Sequence, residues 1–283
     1  MAKDKSLWDE IYLKGPEAIR QKAQFDWFSA KAYSEYRRWI GPDDKKVLDA
    51  GFGTGRFCFA LAKDLPHSEV VGIDISPNLV EDATNAAAVL GLTNVTFTQA
   101  SIFSLPFADG AFDVVFNEGV IEHLDYEAAV REMVRVTKPG GKVVIGVPNW
   151  YCFPHTLRKA LIRLLGLKFE YDVEKSFRHS ELRDLLARNG LTCIETTGYY
   201  PLQSVIRLFW VTKIAQVLWR LQPVFDVCEK MLRMVETHFI SIVDAATRQT
   251  FSTTFGFEIV ARGIKPPKPG RLAVDGQLMA AAG

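Results

Sequence analysis

Apolar runs and polar breaks alternate through the middle of the chain. Short apolar runs predict strands near residues 46–50, 69–74, 94–99, 112–117 and 142–147. Between them, apolar residues at helical spacing predict helices near 55–64, 77–90 and 125–137. Strand and helix in alternation imply a parallel sheet with helices on both faces. Ser76-Pro77 puts a capping side chain before a proline at the first helical position, which suits the start of the second helix. Glu127 with Arg131, and Glu132 with Arg135, stand at helical spacing and read as ion pairs on a solvated face.

The flanks differ in character. Residues 6–40 read as two helices parted by Gly15-Pro16, the second carrying Phe25, Trp27, Phe28, Tyr33, Tyr36 and Trp39. Those aromatics either pack on the sheet or form a lid. Gly41-Pro42-Asp43-Asp44 punctuates the entry to the core. Past residue 148 come a basic amphipathic helix over 157–165, a helix over 179–189, a strand over 191–200 and a last strand over 255–263. Residues 202–221 are apolar nearly all round a helical wheel, interrupted by Arg207, Lys213 and Arg220 and ended by Pro223. A helix without a clean polar face is buried, at an interface or at a membrane. Residues 224–243 place Val224, Val227, Cys228, Met231, Leu232, Val235, Phe239 and Ile242 on one stripe, a pattern of core or dimer seam. The divisions are therefore a helical cover (1–41), a core (42–200), a helical insertion (201–250), the last core strand (251–265) and a small, polar, disordered tail (266–283).

Composition narrows the function classes. With 283 residues, 48% of them hydrophobic, the chain suits one large globular domain with additions. A formal net charge of +1 argues against a nucleic-acid binder driven by bulk electrostatics. Cys58, Cys152, Cys193 and Cys228 lack metal-type spacing and read as reduced, buried apolar residues; no metal is expected. There is no signal-peptide core and no run of about eighteen uncharged apolar residues, so a cytoplasmic location is expected, with the insertion a candidate peripheral membrane contact.

The chemistry concentrates in Lys46-Val47-Leu48-Asp49-Ala50-Gly51-Phe52-Gly53-Thr54-Gly55-Arg56. A short apolar run ending in an acid, then glycines at alternate positions, then a helix start, reads as strand, tight turn and helix. Glycine permits backbone angles that other residues avoid and keeps no side chain between main chain and ligand. The next apolar run ends at Asp74 in Gly72-Ile73-Asp74-Ile75-Ser76. In a doubly wound sheet the first two strands are neighbours, so Asp74 can accept from both hydroxyls of a ribose, with Ile75 under the attached base.

These two segments resemble class I S-adenosylmethionine-dependent methyltransferases. The likeness continues through Thr96–Ser101, Leu105-Pro106-Phe107, Phe112–Val115, Ile121-Glu122-His123-Leu124 and Val136–Gly141, in the manner of the ubiquinone and menaquinone biosynthesis subgroup. It is close over 46–148, looser to 200, and returns at 255–264. The resemblance implies a Rossmann-like, seven-stranded, mostly parallel sheet with an antiparallel last strand.

It also implies roles for residues. Asp49 orders the glycine loop near the donor's ammonium, and Ala50, Gly51, Gly53 and Gly55 bring main chain against the cofactor. Ser101 stands where relatives commonly carry an aspartate to the adenine amino group, beside Ile102. Asn117 and Glu118 form the turn beside the sulfonium, with Glu118 either touching the methionine amino group or capping the next helix. Tyr12 belongs to the N-terminal cover. His123 is the candidate general base or a helix-start residue bonded to backbone. His155, His179 and Tyr171 are further acceptor-side candidates. The expected reaction is in-line methyl transfer, without a metal, to oxygen or nitrogen of a small or lipid acceptor. Two alternatives stand beside it: a catalytically silent partner dimerised through 202–243, and a nicotinamide-dependent oxidoreductase. The second should show G-x-G-x-x-G and a catalytic Tyr/Lys pair, and neither is clear.

Overall fold

The structure is a computed structural model describing residues 27–164, 174–199 and, in part, 227–267. Its centre is β1 (Lys46–Ala50), whose near-continuous apolar sequence suits a strand covered on both faces. After β1 come α2 (Arg56–Asp64), β2 (Glu69–Asp74), α3 (Pro77–Val89), β3 (Val95–Gln99) and β4 (Phe112–Glu118); α1 (Trp27–Arg37) precedes it. A 3-10 turn at Ile121–His123 leads to α4 (Tyr126–Val136), β5 (Thr137–Pro148), α5 (Phe153–Leu164), α6 (His179–Arg188) and β6 (Thr192–Tyr199). Near the end lie α7 (Ser241–Ala246), α8 (Thr250–Phe255) and β7 (Glu258–Ile264).

The seven strands lie in the order β3-β2-β1-β4-β5-β7-β6. The β1–β2, β1–β4, β2–β3 and β4–β5 pairs are parallel; β7 runs antiparallel to both β5 and β6. The expected sheet is therefore found, with β7 inserted between β5 and β6. That order departs from the 3-2-1-4-5-6 sheet of dinucleotide-binding folds and removes the oxidoreductase alternative's structural footing.

Period-two alternation sends neighbouring side chains to opposite faces. Val47, Val70, Val114 and Val144 pack with Tyr36, Phe57 and Leu79 on one side. Leu48, Ala50, Val71 and Ile145 pack with Val130, Met133, Leu182 and Leu185 on the other. Tyr36 fastens α1 to the sheet: its hydroxyl donates to the Asn117 carbonyl at 3.0 Å and fills the space that a Cβ on Gly146 would take. Lys142 Nζ reaches from β5 to Asp44 Oδ2 at 2.8 Å and to the Trp39 carbonyl at 2.9 Å.

Several local expectations change. β5 starts at Thr137, which pairs with Phe112 before a register shift, rather than near 142. Glu127 pairs with Arg188 of α6 at 2.6 Å instead of Arg131, because α4 and α6 share one face of the sheet. Glu132 does pair with Arg135, but the pair is more than a solvated face. Glu132 also accepts from the Leu105 amide, and Arg135 donates to the Phe107 carbonyl, so both hold the chain entering β4. The stripe over 224–243 is exposed at Val227, Met231, Val235 and Ile242, which excludes a core role for these four side chains. Residues 200–226 and the tail from 268 lie outside the described residues. Among the described residues no helix is long and apolar enough to cross a membrane.

Candidate active site

The carboxyl edge of the sheet opens into a cavity of about 360 Å³ walled by the ends of β1, β2 and β4 and the turns after them. The β1–α2 turn is shaped by positive φ angles of 106° at Gly51, 54° at Gly53 and 75° at Gly55. A Cβ on Gly51 would lie 2.8 Å from a Val120 methyl, so the turn after β4 can approach only a glycine there. A Cβ on Gly53 would meet nothing within 4 Å, because Gly53 faces the cavity.

Asp74 completes the turn. Its Oδ2 accepts from the Gly53 amide at 3.1 Å and its Oδ1 from the Ser76 amide at 3.0 Å. The carboxylate is thereby held between the glycine turn and α3, whose Ser76 cap accepts from the Leu79 amide at 3.2 Å. Ile75, 45% exposed, offers an apolar edge to the same cavity.

Asp49 lies deeper. The Cys58 thiol donates to its Oδ2 at 3.4 Å. Burial pushes the Asp49 carboxyl up to about 8, with Glu118 and Asp74 acting in the same direction against the Cys58 hydrogen bond and Arg56. Thr54 Oγ1, in the same wall, is buried and has no hydrogen-bond partner among the described residues, as expected of a group that serves a bound polar molecule.

The cavity wall thus gathers Asp49, Gly51, Gly53, Asp74, Ile75, Ser101, Ile102 and Glu118 from the expected set. Ser101 Oγ accepts from the Phe103 amide at 3.3 Å, which tightens the turn after β3. Gly55 caps α2 beneath the turn, its φ of 75° setting the helix direction. Five residues sit elsewhere. Ala50, next to Asp49, points to the opposite face of the sheet. Asn117 uses its amide internally, Nδ2 donating to the Ala50 carbonyl and Oδ1 accepting from the Ile121 amide. His123 is buried in the 3-10 turn with Nε2 3.9 Å from Glu122 Oε1, while its neighbour Leu124 reaches the wall. His155 is fully buried, stacked edge-on against Phe257 with Nε2 3.2 Å from Ser176 Oγ. His179, half-buried, faces Tyr151 outside the wall, and burial pulls its imidazole down. Tyr12 and Tyr171 lie outside the described residues.

Sequence reading missed Thr54, Arg56, Val120 and Glu258, all in the wall. Thr54 and Arg56 sit inside the glycine motif and were legible from it. Glu258 was not, although an acid opening the apolar run Ile259-Val260-Ala261 is a local anomaly.

Fold and site together define the class of S-adenosylmethionine-dependent methyltransferases, and the comparisons agree. A family model described as methyltransferase domain matches residues 42–190. The chain belongs to that family. It is 41% identical over 102 residues to a demethylmenaquinone methyltransferase of Thermus thermophilus, covering 36% of this chain and 46% of that protein. The chain spans less than half the length of the curated relatives it matches. The putative methyltransferase complexed with the Trm112 activator of Haloferax volcanii shares the fold, with a TM-score of 0.61 at 20% identity over 94% of this chain and 99% of that one. Phosphoethanolamine N-methyltransferase 2 of Haemonchus contortus, solved with S-adenosylhomocysteine, gives 0.60 at 17% identity over 93% and 60%.

S-Adenosylmethionine is the cofactor this site fits. The open space over Gly53 and the unpartnered Thr54 hydroxyl are the observations that accommodate it. Asp49, Thr54, Arg56, Asp74, Ile75 and Ile102 all line that cavity. Replacing Gly53 with alanine tests this fit. The fold should lose about 1 kcal/mol, since a positive φ costs a residue with a Cβ roughly that much. Overpacking the cavity by one methyl should weaken cofactor binding by about 1–3 kcal/mol, roughly 5- to 150-fold. Calorimetric titration beside a thermal melt separates the two effects, and unaltered affinity would remove the glycine turn from the cofactor site.

Proposed function

We propose that this chain moves the methyl group of S-adenosylmethionine, by in-line displacement, to an oxygen or nitrogen of a small lipophilic acceptor. The observation that carries this reading is the single cavity that joins the Asp74 carboxylate and the glycine turn to Glu118 and the apolar Phe57, Val120 and Leu124. The cofactor supplies a methyl group already activated on a sulfonium, and the C–S bonding pair returns to sulfur as the methyl leaves.

The chain's own residues then have three tasks. Asp74, Thr54 and Arg56 bind and orient the donor. Phe57, Val120 and Leu124 keep water from the methyl and offer an apolar surface to the acceptor. Alignment of the two reactants is worth up to about 7–11 kcal/mol of the barrier, so positioning can supply much of the rate. The third task is to take the acceptor's proton. His123 lies behind the wall with its ring at Glu122, so the base role assigned to it passes to an acid that lines the cavity. A demethylmenaquinone methyltransferase among the relatives supports a lipophilic small molecule as acceptor.

The test is transfer of labelled methyl from S-adenosylmethionine into host cell extract, partitioned between organic solvent and water. Label in the organic phase is the expected result. Label confined to water would overturn the lipophilic acceptor. No label, with the cofactor shown to bind, would favour the silent-partner alternative.

A further inference from the structure

Cys58, read from sequence as a reduced, buried apolar residue, is free and fully buried in the first turn of α2. Its contacts are not apolar alone. The thiol donates to Asp49 Oδ2 at 3.4 Å, an ordinary length for a hydrogen bond through sulfur. Among the described residues that thiol is the one hydrogen-bond donor to the Asp49 carboxyl. Asp49 lines the cavity, so the pair ties the start of α2 to the wall. Gly55, with its φ of 75°, turns the chain between them and lets the helix begin against the strand it has just left.

A second observation marks this wall as one that receives a polar ligand. The Thr54 hydroxyl, four residues before Cys58, lines the cavity at 6% exposure and has no hydrogen-bond partner among the described residues.

The groups facing Asp49 pull in opposite directions. Glu118 and Asp74 oppose its charge and Arg56 favours it, while the buried Tyr36 phenol of α1 stands near enough to feel it. A hydrogen bond donated to a carboxylate favours the ionised form, so the thiol acts with Arg56 against burial. Burial first, and then Asp49 itself, hold the Cys58 thiol protonated, so it donates to the carboxylate and does not compete with it for the proton. Without that donor, Oδ2 would face the protein interior unpaired, and the carboxyl would keep its proton more firmly.

We propose that Cys58 is a positioning residue of the donor site, its thiol holding the Asp49 carboxylate ready for the ammonium of S-adenosylmethionine. The proposal rests on Asp49 pairing with that ammonium in the methyl-transfer reading above, and adds to it a group that touches no ligand.

Calorimetric titration of S-adenosylhomocysteine into the full chain between about pH 6.5 and pH 8.5 tests the proposal, with Cys58→Ala and Cys58→Ser beside the parent. A thiol is a weak donor, here bonded to a charged acceptor, so its loss should move the rise in affinity upward by about one pH unit. Cys58→Ala should then bind about tenfold more weakly than the parent at about pH 7, the gap narrowing to about threefold at about pH 8.5. Lost packing alone would weaken binding by one factor at every pH. Cys58→Ser restores a donor and should return the profile to that of the parent or to lower pH. In the Asp49→Asn background the alanine should change affinity no further. A gap that is uniform in pH, a serine no better than the alanine, or an equal loss in the asparagine background would overturn the positioning role. The unaltered chain supplies a check that needs no variant to fold: an infrared S–H band should move to lower frequency as Asp49 ionises, and the absence of any such movement would also overturn the role. A chain that fails to bind S-adenosylhomocysteine at all, or an Asp49→Asn variant that binds it as the parent does, would instead overturn the reading on which the proposal rests.

Discussion

Replacing Asp74 with alanine is expected to weaken S-adenosylmethionine binding by about 10²–10⁴-fold, the largest single-residue effect in the site. The carboxylate already accepts from the Gly53 amide at 3.1 Å and the Ser76 amide at 3.0 Å, so both oxygens are aimed before any ligand arrives. Each hydrogen bond to a charged group is worth about 1.5–3 kcal/mol, and a ribose diol offers two. The alanine also releases the two amides, which loosens the glycine turn and adds to the loss. The fold should survive, because Ser76 Oγ still caps α3 through the Leu79 amide at 3.2 Å. Asp74→Asn keeps one acceptor oxygen without the charge and should fall between parent and alanine. Calorimetry with a circular-dichroism melt reads both quantities. An affinity within about fivefold of the parent would take the ribose away from Asp74.

The sheet was legible because both its faces are covered. β1, β2 and β4 each carry a short apolar run, Val47-Leu48, Val70-Val71 and Val114-Val115-Phe116, bounded by polar residues or glycine. Two of the wall's acids followed from the same property, since Asp49 and Asp74 stand just past the apolar residues of β1 and β2. Ala50 and Asn117 show what a contiguous motif does not carry, which is the way each side chain faces. A motif is contiguous, but alternate strand residues face opposite ways, so Ala50 leaves the cavity that Asp49 enters. Asn117 is drawn inward by the Ala50 carbonyl and the Ile121 amide, partners that only the β1–β4 register brings near it. His123 followed the strand closely enough to suggest the cavity, but the 3-10 turn sends Leu124 to the wall in its place. Glu258 was out of reach for a different reason. It is far from Glu118 in the chain, and only the insertion of an antiparallel β7 beside β5 puts the two in one cavity.

Burial of the acid at the tip of β1 moves the pH dependence of the donor site well above the range of most carboxylates. On the proposal that Asp49 pairs with the ligand's ammonium, affinity for S-adenosylhomocysteine should rise by about fifty-fold between about pH 6 and pH 8. The cause is the burial that pushes the Asp49 carboxyl up to about 8, aided by Glu118 and Asp74 and opposed by Cys58 and Arg56. Below that value the group is protonated and must lose its proton before it can pair with the ligand, so binding releases a proton. Stability of the unliganded chain runs the other way. A carboxyl raised above its unfolded value of 3.8 contributes fully below that pH, and its contribution is lost as pH rises through about 8. Asp49→Asn separates the two effects. The variant should bind the ligand more weakly at pH 8 and with a flat pH profile. Without ligand it should resist urea better than the parent at and above pH 8, with the difference closing towards pH 4. A parent affinity that does not change between pH 6 and pH 8 would mean that Asp49 is already ionised, and that the polar cavity around it outweighs its burial.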